Sequence, residues 1–350
     1  MTATAMPVQS EDLGWFVVSD AGSVGLVCRA ATAAGEGLAL PAPRLANLAI
    51  VATELASNLY KHAVDGVVLL RAVRAGGDAG VELVATDSGP GMADLALSAR
   101  DGHSTAGTLG IGLGAMARQS SELDAFSRPG RGTVLTVSVW GRQPVPTRWA
   151  AGLTRPIAGE VVSGDGYATR EADGRRQVML CDGLGHGPLA AAASHAMVAA
   201  FRDAPADGPA AVLGHAHLAV SHSRGVVATV VQMDPDGQVT CASVGNIAGW
   251  VVDATRRRGM ATQPGIVGDR QRRTIREYSY PLAGDAVVVL HTDGVTNRWE
   301  LAEYPGLLRR GPLVVAATLL RDAASRRDDA GVLVARSVAG PVGPEGGAHR

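Results

Sequence analysis

The chain has one lysine, Lys61, in 350 residues; its other basic side chains are arginines. A GC-rich genome, which favours arginine codons, accounts for that bias. Cysteine is scarce too. Cys28, Cys181 and Cys241 are scattered and odd in number, with neither metal-ligand spacing nor a disulfide framework, so a reducing cytoplasm is expected. The N-terminus lacks the basic start and apolar core of a signal peptide. No apolar run approaches the roughly 20 residues needed to cross a bilayer, so no membrane is expected as a partner. A net charge of −1 removes the electrostatic reason to expect nucleic acid. What remains is enough chain for two ordinary cores.

Residues 15–19 read as a strand, 23–34 and 45–62 as helices, and 66–75 and 81–87 as strands. Residues 89–110 form a long, weakly patterned stretch suited to a lid over a ligand. A helix is expected over 113–121, then a hairpin with strands at 124–127 and 133–140. Pro144 and Pro146 mark a linker. The second half reads as strands at 178–181, 226–233, 239–244, 250–252, 275–280 and 285–292. Its expected helices lie at 188–202, 210–222 and 312–324. Asp236-Gly237 is a hairpin signal. The Gly/Pro-rich tail reads as disordered.

At about 100° per residue, Glu54, Asn58 and Lys61 share one stripe of the 45–62 helix. Leu45, Leu48, Ala52, Leu55 and Leu59 fall opposite and can face a sheet. A solvated helix face would also explain the stripe. Asparagine is a poor mid-helix residue, however, and the chain has only four. Next comes Asp87-Ser-Gly-Pro-Gly91, where a carboxylate at a strand end can accept from an exocyclic amine and glycines allow close approach to a flat ring. The same five residues also make a good turn. A third element, Gly107-Thr-Leu-Gly-Ile-Gly-Leu-Gly114, offers backbone N–H groups and a helix start to phosphate oxygens.

As an ordered set closing on Gly132-Thr133, these motifs resemble the GHKL ATPase fold over residues 12–141. Residues 87–140, with the run Asp101-Gly-His-Ser-Thr105, look like the RsbT/RsbW family of serine kinases. The resemblance implies ATP as cofactor, with Asn58 ligating Mg²⁺ and Asp87 holding adenine. Gly89 and Gly91 would shape the adenine pocket, Gly110, Gly112 and Gly114 would wrap the phosphates, and Thr133 would complete the nucleotide site. Glu54 would be the general base towards an incoming serine hydroxyl, a role typically worth about 10²–10⁴ in rate. Gly-Thr-Leu-Gly stands where the family often has more consecutive glycines, which would alter phosphate grip or lid closure. A histidine sensor kinase shares this fold but needs a dimerising helix pair upstream, and only about 50 residues precede the Glu54 helix.

The second half carries Ser163-Gly-Asp165-Gly, Cys181-Asp182-Gly-Leu-Gly-His186-Gly, His291-Thr-Asp293-Gly and Arg327-Asp328-Asp329. Each aspartate alone could cap a helix or close a turn. Brought together, two such charges about 4 Å apart repel by about 4 kcal/mol at an effective dielectric near 20. Divalent cations offset that repulsion, and an all-carboxylate shell selects Mg²⁺ or Mn²⁺ over zinc. The set, with Val244-Gly-Asn246, resembles the SpoIIE-like branch of the PPM phosphatases over residues 152–336, RsbX most of all. The resemblance implies two metals, with Asp182 bridging both and the Gly183 carbonyl ligating one. Asp293 and Asp328 would complete the second site, and Asp165 would act through the ions' water shell. His186 would donate a proton to the leaving serine, or be a loop histidine packed over the helix that starts at Pro188.

The expected fold is therefore α+β in two domains: a Bergerat-type (GHKL) two-layer sandwich in residues 1–142, a linker over 143–151, and a PPM-type α-β-β-α sandwich over 152–338, with a tail from 339 to 350. The expected function is partner switching. The first domain would phosphorylate a STAS-type anti-sigma-factor antagonist or stressosome scaffold, and the second would hydrolyse phosphoserine or phosphothreonine. In the alternatives the first domain is an ATP sensor without kinase activity, or a module that binds a sigma factor or another phosphatase.

Overall fold

The computed structural model describes residues 7–92, 112–142, 148–269, 274–282, 284–325 and 327–336. The expected lid from 93, with Gly110, lies outside these residues, as do most of the expected linker and the tail.

The N-terminal domain runs β1 (Gln9–Val17), α1 (Ala21–Gly37), α2 (Ala42–His62), β2 (Val67–Ala75), β3 (Asp78–Thr86), α3 (Gly112–Gln119), β4 (Glu122–Arg128) and β5 (Gly132–Trp140). Asp20 opens α1 through a capping box with Ser23, and Pro41 precedes α2. The strands form one antiparallel sheet in the order β1-β2-β3-β5-β4. Side chains alternate between its faces. Val68, Leu70, Leu83, Ala85, Leu135 and Val137 pack on α1 and α2, against Val27, Leu48, Leu55 and Leu59. Leu69, Val84, Phe126 and Val134 point the other way and are also buried.

What covers that second face belongs to the C-terminal half. Its elements are β6 (Ala150–Arg155), β7 (Asp165–Ala172), β8 (Arg175–Gly183), α4 (Pro188–Asp203), α5 (Pro209–Ala219), β9 (Val226–Met233), β10 (Gln238–Val244), β11 (Ala248–Val252), β12 (Arg257–Gly259), β13 (Tyr278–Pro281), β14 (Val287–His291), α6 (Pro312–Ala323) and β15 (Ala330–Arg336). Two sheets, β12-β11-β14-β15-β6 and β13-β10-β9-β8-β7, stack face to face around Leu180, Val231, Val288 and Leu333. The alanine-rich α4 lies with α5 on the outside of the second sheet, buried through Ala190, Ala193, Met197 and Phe201. Asp236-Gly237 turns β9 into β10, as expected. β6, β7, β12 and β15 had no strand signal in the sequence reading, and β6 starts at Ala150, inside the stretch read as linker.

α6 is the unexpected layer. Ten of its twelve residues are buried. A helix that is apolar all round needs cover on all sides. Val287, Val289, Val332 and Val334 cover one side, and Leu69, Val84, Phe126 and Val134 of the N-terminal sheet cover the other, in one continuous core. The order of layers is α1–α3, the N-terminal sheet, α6, the two stacked sheets, and α4–α5. The halves share a helix.

A buried polar cluster closes the same interface. The Arg71 guanidinium, fully buried on β2, donates to Asp12 Oδ1 (2.8 Å), Glu82 Oε2 (2.7 Å), Ser10 Oγ (2.8 Å), the Gly152 carbonyl (2.6 Å) and Tyr167 Oη (2.6 Å). Asp12 Oδ2 in turn accepts from the Thr154 backbone N–H (2.8 Å), and Trp15 Nε1 donates to the Thr154 carbonyl (2.9 Å). Burial pushes the Tyr167 hydroxyl up to about 12, so it stays a neutral donor beside these carboxylates.

Candidate functional site

In the C-terminal domain the register of β7 on β8 sets Asp165 directly opposite Asp182. Cross-strand partners have Cβ atoms about 4.5–5.5 Å apart, so two carboxylates meet at one sheet end. The other sheet supplies the rest. β14 ends at His291, so Thr292 and Asp293 leave from its tip, and Asp328 and Asp329 lead into β15. The sheets are stitched together at this point. Thr292 Oγ1 donates to Asp165 Oδ2 (2.8 Å) and accepts from the Gly331 N–H (2.8 Å).

The electrostatics follow. Burial, then the neighbouring Asp182 charge, holds the Asp165 carboxyl well above the usual carboxylate range. Burial, then Asp293, Asp328 and Asp329, raises Asp182 to about 7. Asp165 Oδ1 is buried with no hydrogen-bond partner. A buried orphan acceptor among mutually repelling carboxylates fits a hard divalent cation. Among the described residues no three His, Cys, Asp or Glu side chains already close around one point. An ion here would complete its shell with water, as Mg²⁺ commonly does.

Several positioning residues carried no clear sequence signal. Asn246, noted only within its motif, donates through Nδ2 to Asp293 Oδ2 (2.8 Å). Asp329 accepts from the backbone N–H groups of Ile157 (2.7 Å) and Gly164 (2.8 Å), pinning the 157–164 loop beside Asp165. Asp328 is exposed, and its Oδ1 accepts from the Asp329 N–H (2.9 Å). The Gly183 N–H donates to the Gly164 carbonyl (3.0 Å). His186 Nδ1 lies 3.0 Å from Glu160 Oε1, a partner the sequence reading missed. Glu160 lies on the loop that Asp329 pins, three residues before the Ser163-Gly-Asp165-Gly motif but outside it.

These raised carboxylates set a sign for stability. A carboxyl whose folded pKa lies above its unfolded value contributes fully below the unfolded value, and that contribution is lost as pH rises through the folded one. For Asp182 the window runs from about 4 to about 7. The melting midpoint of metal-free protein should therefore fall between pH 5 and pH 8. Mn²⁺ should restore it, and more strongly at pH 8, because protons compete for the same oxygens. Asp182→Asn should flatten the pH dependence. A metal-free midpoint that rises across this interval would contradict the cluster.

The second site lies at the end of β3. Asp87 is nearly buried. Its Oδ1 accepts from the Gly89 N–H (2.7 Å) and its Oδ2 from the Thr133 N–H (3.2 Å). Burial raises its pKa, while these two hydrogen bonds and Arg321 oppose the rise. Each carboxylate oxygen keeps a second lone pair that could accept from an amine. Gly132, at φ 79°, is required here, since a Cβ would lie 1.9 Å from the Asp87 carbonyl oxygen. The C-terminal end of α2 borders the site, where the Ser88 N–H donates to the Val64 carbonyl (2.8 Å). Glu54 and Asn58 are half-buried on α2, and Lys61 is exposed. α3 packs on α2 and opens at Gly112 with Gly114 in its first turn, and the first N–H groups of a helix, which have no partner within it, suit phosphate oxygens. Gly91 flanks the Asp87 turn, at φ 66°.

The architecture defines a class: a histidine-kinase-like ATPase domain joined to a SpoIIE-like domain of the PPM fold. Residues 17–139 match the histidine kinase-like ATPase domain, and residues 172–337 match stage II sporulation protein E (SpoIIE). Through its N-terminal domain the chain belongs to the family of the serine/threonine-protein kinase RsbT of Bacillus subtilis (strain 168). The two are 35% identical over 97 residues, which span 28% of this chain and 73% of that protein. A solved structure from work on the bacterial stressosome, as a modular system adapted to control secondary messenger signalling, shares the fold. Its TM-score is 0.50 at 25% identity, over 53% of this chain and 98% of that one. RsbX in complex with magnesium gives a TM-score of 0.47 at 19% identity, over 54% and 94%. No helix among the described residues is long and apolar enough to cross a membrane.

Proposed function

We propose that the chain sets the phosphorylation state of a regulatory protein from both directions. The N-terminal domain transfers the γ-phosphoryl of ATP to a serine or threonine of a STAS-type antagonist or stressosome scaffold. The C-terminal domain removes it. The observation that carries the phosphatase half is the convergence of Asp165, Asp182 and Asp293 from two sheets, with one buried oxygen left without a partner.

In this reading Asp182, the Gly183 carbonyl, Asp165, Asp293 and Asp328 would hold two divalent cations, with Asp182 shared between them. When bound, such a pair lowers the pKa of a water and polarises a phosphoryl group. Thr292 and Asn246 hold the carboxylates that face it. With Nδ1–H donated to Glu160, His186 in its imidazolium form carries a second proton on Nε2, which it would pass to the leaving serine oxygen. In the N-terminal domain Asp87 accepts from the adenine amine between Gly89 and Gly91. Asn58 would hold Mg²⁺, the N-terminus of α3 at Gly112 and Gly114 would face phosphate, and Thr133 borders the pocket. Glu54 takes the proton of the attacking hydroxyl.

The test uses the whole chain, because the halves share α6. Full-length Asp182→Ala protein, given labelled ATP and a STAS protein encoded nearby, should accumulate label on one serine or threonine. Adding Glu54→Ala should slow that transfer by about 10²–10⁴ while nucleotide affinity stays. Bound ATP without transfer to any STAS protein would instead favour the sensor alternative. Capture of a sigma factor would favour the binding-module alternative.

A further inference from the structure

We propose that α6 couples the nucleotide pocket to the metal centre, and that Arg321, on the phosphatase side, is a positioning residue for Asp87. The inference rests on reading Asp87 as the adenine-binding carboxylate and Asp293 as a metal ligand.

Only Arg321 and Asp322 interrupt the buried surface of α6. The Arg321 side chain is 8% exposed. Asp322 holds its guanidinium through two contacts, Nε to Oδ1 (2.6 Å) and Nη2 to Oδ2 (3.0 Å). Nη1 is left to donate to the Asp87 carbonyl oxygen (3.2 Å). One residue thus carries both the carboxylate that faces the nucleotide and a hydrogen bond to the other domain. It has little room to move, with Gly132 packed against that same carbonyl.

Two residues on from Arg321, the same C-terminal end of α6 is tied just as closely to the metal centre. The Thr296 N–H donates to the Ala323 carbonyl (2.9 Å), and the Ser325 N–H to the Gly294 carbonyl (2.7 Å). Val295 and Ala324 form a β-bridge. Gly294 sits so close to β15 that a Cβ would lie 1.8 Å from the Asp329 carbonyl oxygen. Asp293 therefore leaves the tip of β14 directly into a segment clamped between the end of α6 and Asp329. A close-packed interior transmits a shift of one such group to the next. Linkage then makes the effect reciprocal: if nucleotide changes metal affinity, metal changes nucleotide affinity by the same factor.

Hydrogen exchange on the full chain reads this directly, with binding of a fluorescent ADP followed in the same samples. Filling the site should slow exchange at Thr296 and Ser325 by about fivefold or more, beyond any change in β9. Asp87→Asn should lose both binding and protection. In Arg321→Gln, whatever affinity remains, filling the site should no longer protect residues 294–298. A second readout is the free Mn²⁺ that half-saturates p-nitrophenyl phosphate hydrolysis, under metal buffering. ADP should shift it in the wild type and not in Asp87→Asn, which excludes simple chelation. Saturable ADP binding with exchange and Mn²⁺ dependence both unmoved overturns the coupling and leaves the nucleotide pocket standing. No ADP binding at all overturns the pocket as well. If Arg321→Gln does not fold, the wild-type and Asp87→Asn comparison still decides.

Discussion

Asp182→Ala is expected to reduce phosphate release from a phosphoprotein by on the order of 10³-fold or more, with nucleotide binding retained. The size follows from position: Asp182 stands directly across the strand pair from Asp165 and within the field of Asp293, Asp328 and Asp329, so it reaches both halves of the cluster. Asn246→Ala and Thr292→Val act through the carboxylates they hold, and should cost about 10–100-fold. That gradient separates ligands from their supports. Calorimetry with Mn²⁺ should show the Asp182 variant losing metal affinity as well as rate. Release at wild-type rate from Asp182→Ala would remove the basis for the metal assignment.

The second large effect is on stability. Arg71→Ala should destabilise the whole chain by about 3–5 kcal/mol, because it leaves Asp12 and Glu82 in a buried interface without their cation. Arg148 still pairs with the other oxygen of Glu82 (2.7 Å), so the loss falls most heavily on Asp12 and on the contacts to Gly152 and Tyr167. Both halves should melt together in one transition, shifted down by at least about 5 °C. Two separate transitions in the wild type, or an unmoved midpoint in the variant, would refute a shared core. The same geometry predicts that residues 148–336 expressed alone will aggregate, since the removed sheet covers one side of α6.

Local order was legible in the motifs. A glycine at each tight approach, an aspartate at each strand end, the Asp-Gly hairpin and the apolar stripe of α2 are all local in sequence, and the structure has them. β7 and β15 escaped notice although they carry or follow the candidate metal ligands. Strand pairing supplies their periodicity, and their short segments mix charge and glycine. Glu160 and Thr292 act through partners about 26 and 127 positions away, so no spacing rule could nominate them.

By itself the sequence determined the two domain types, their order and most of the helices, because those follow from residue type and short-range periodicity. Only tertiary structure decided that Asp165 faces Asp182, that Asn246 steers Asp293, and that α6 serves two sheets at once. The physical reason lies in burial. A helix buried on both sides must be covered on each, but its composition does not name what covers it, and here the cover on one side comes from strands more than 170 residues earlier in the chain.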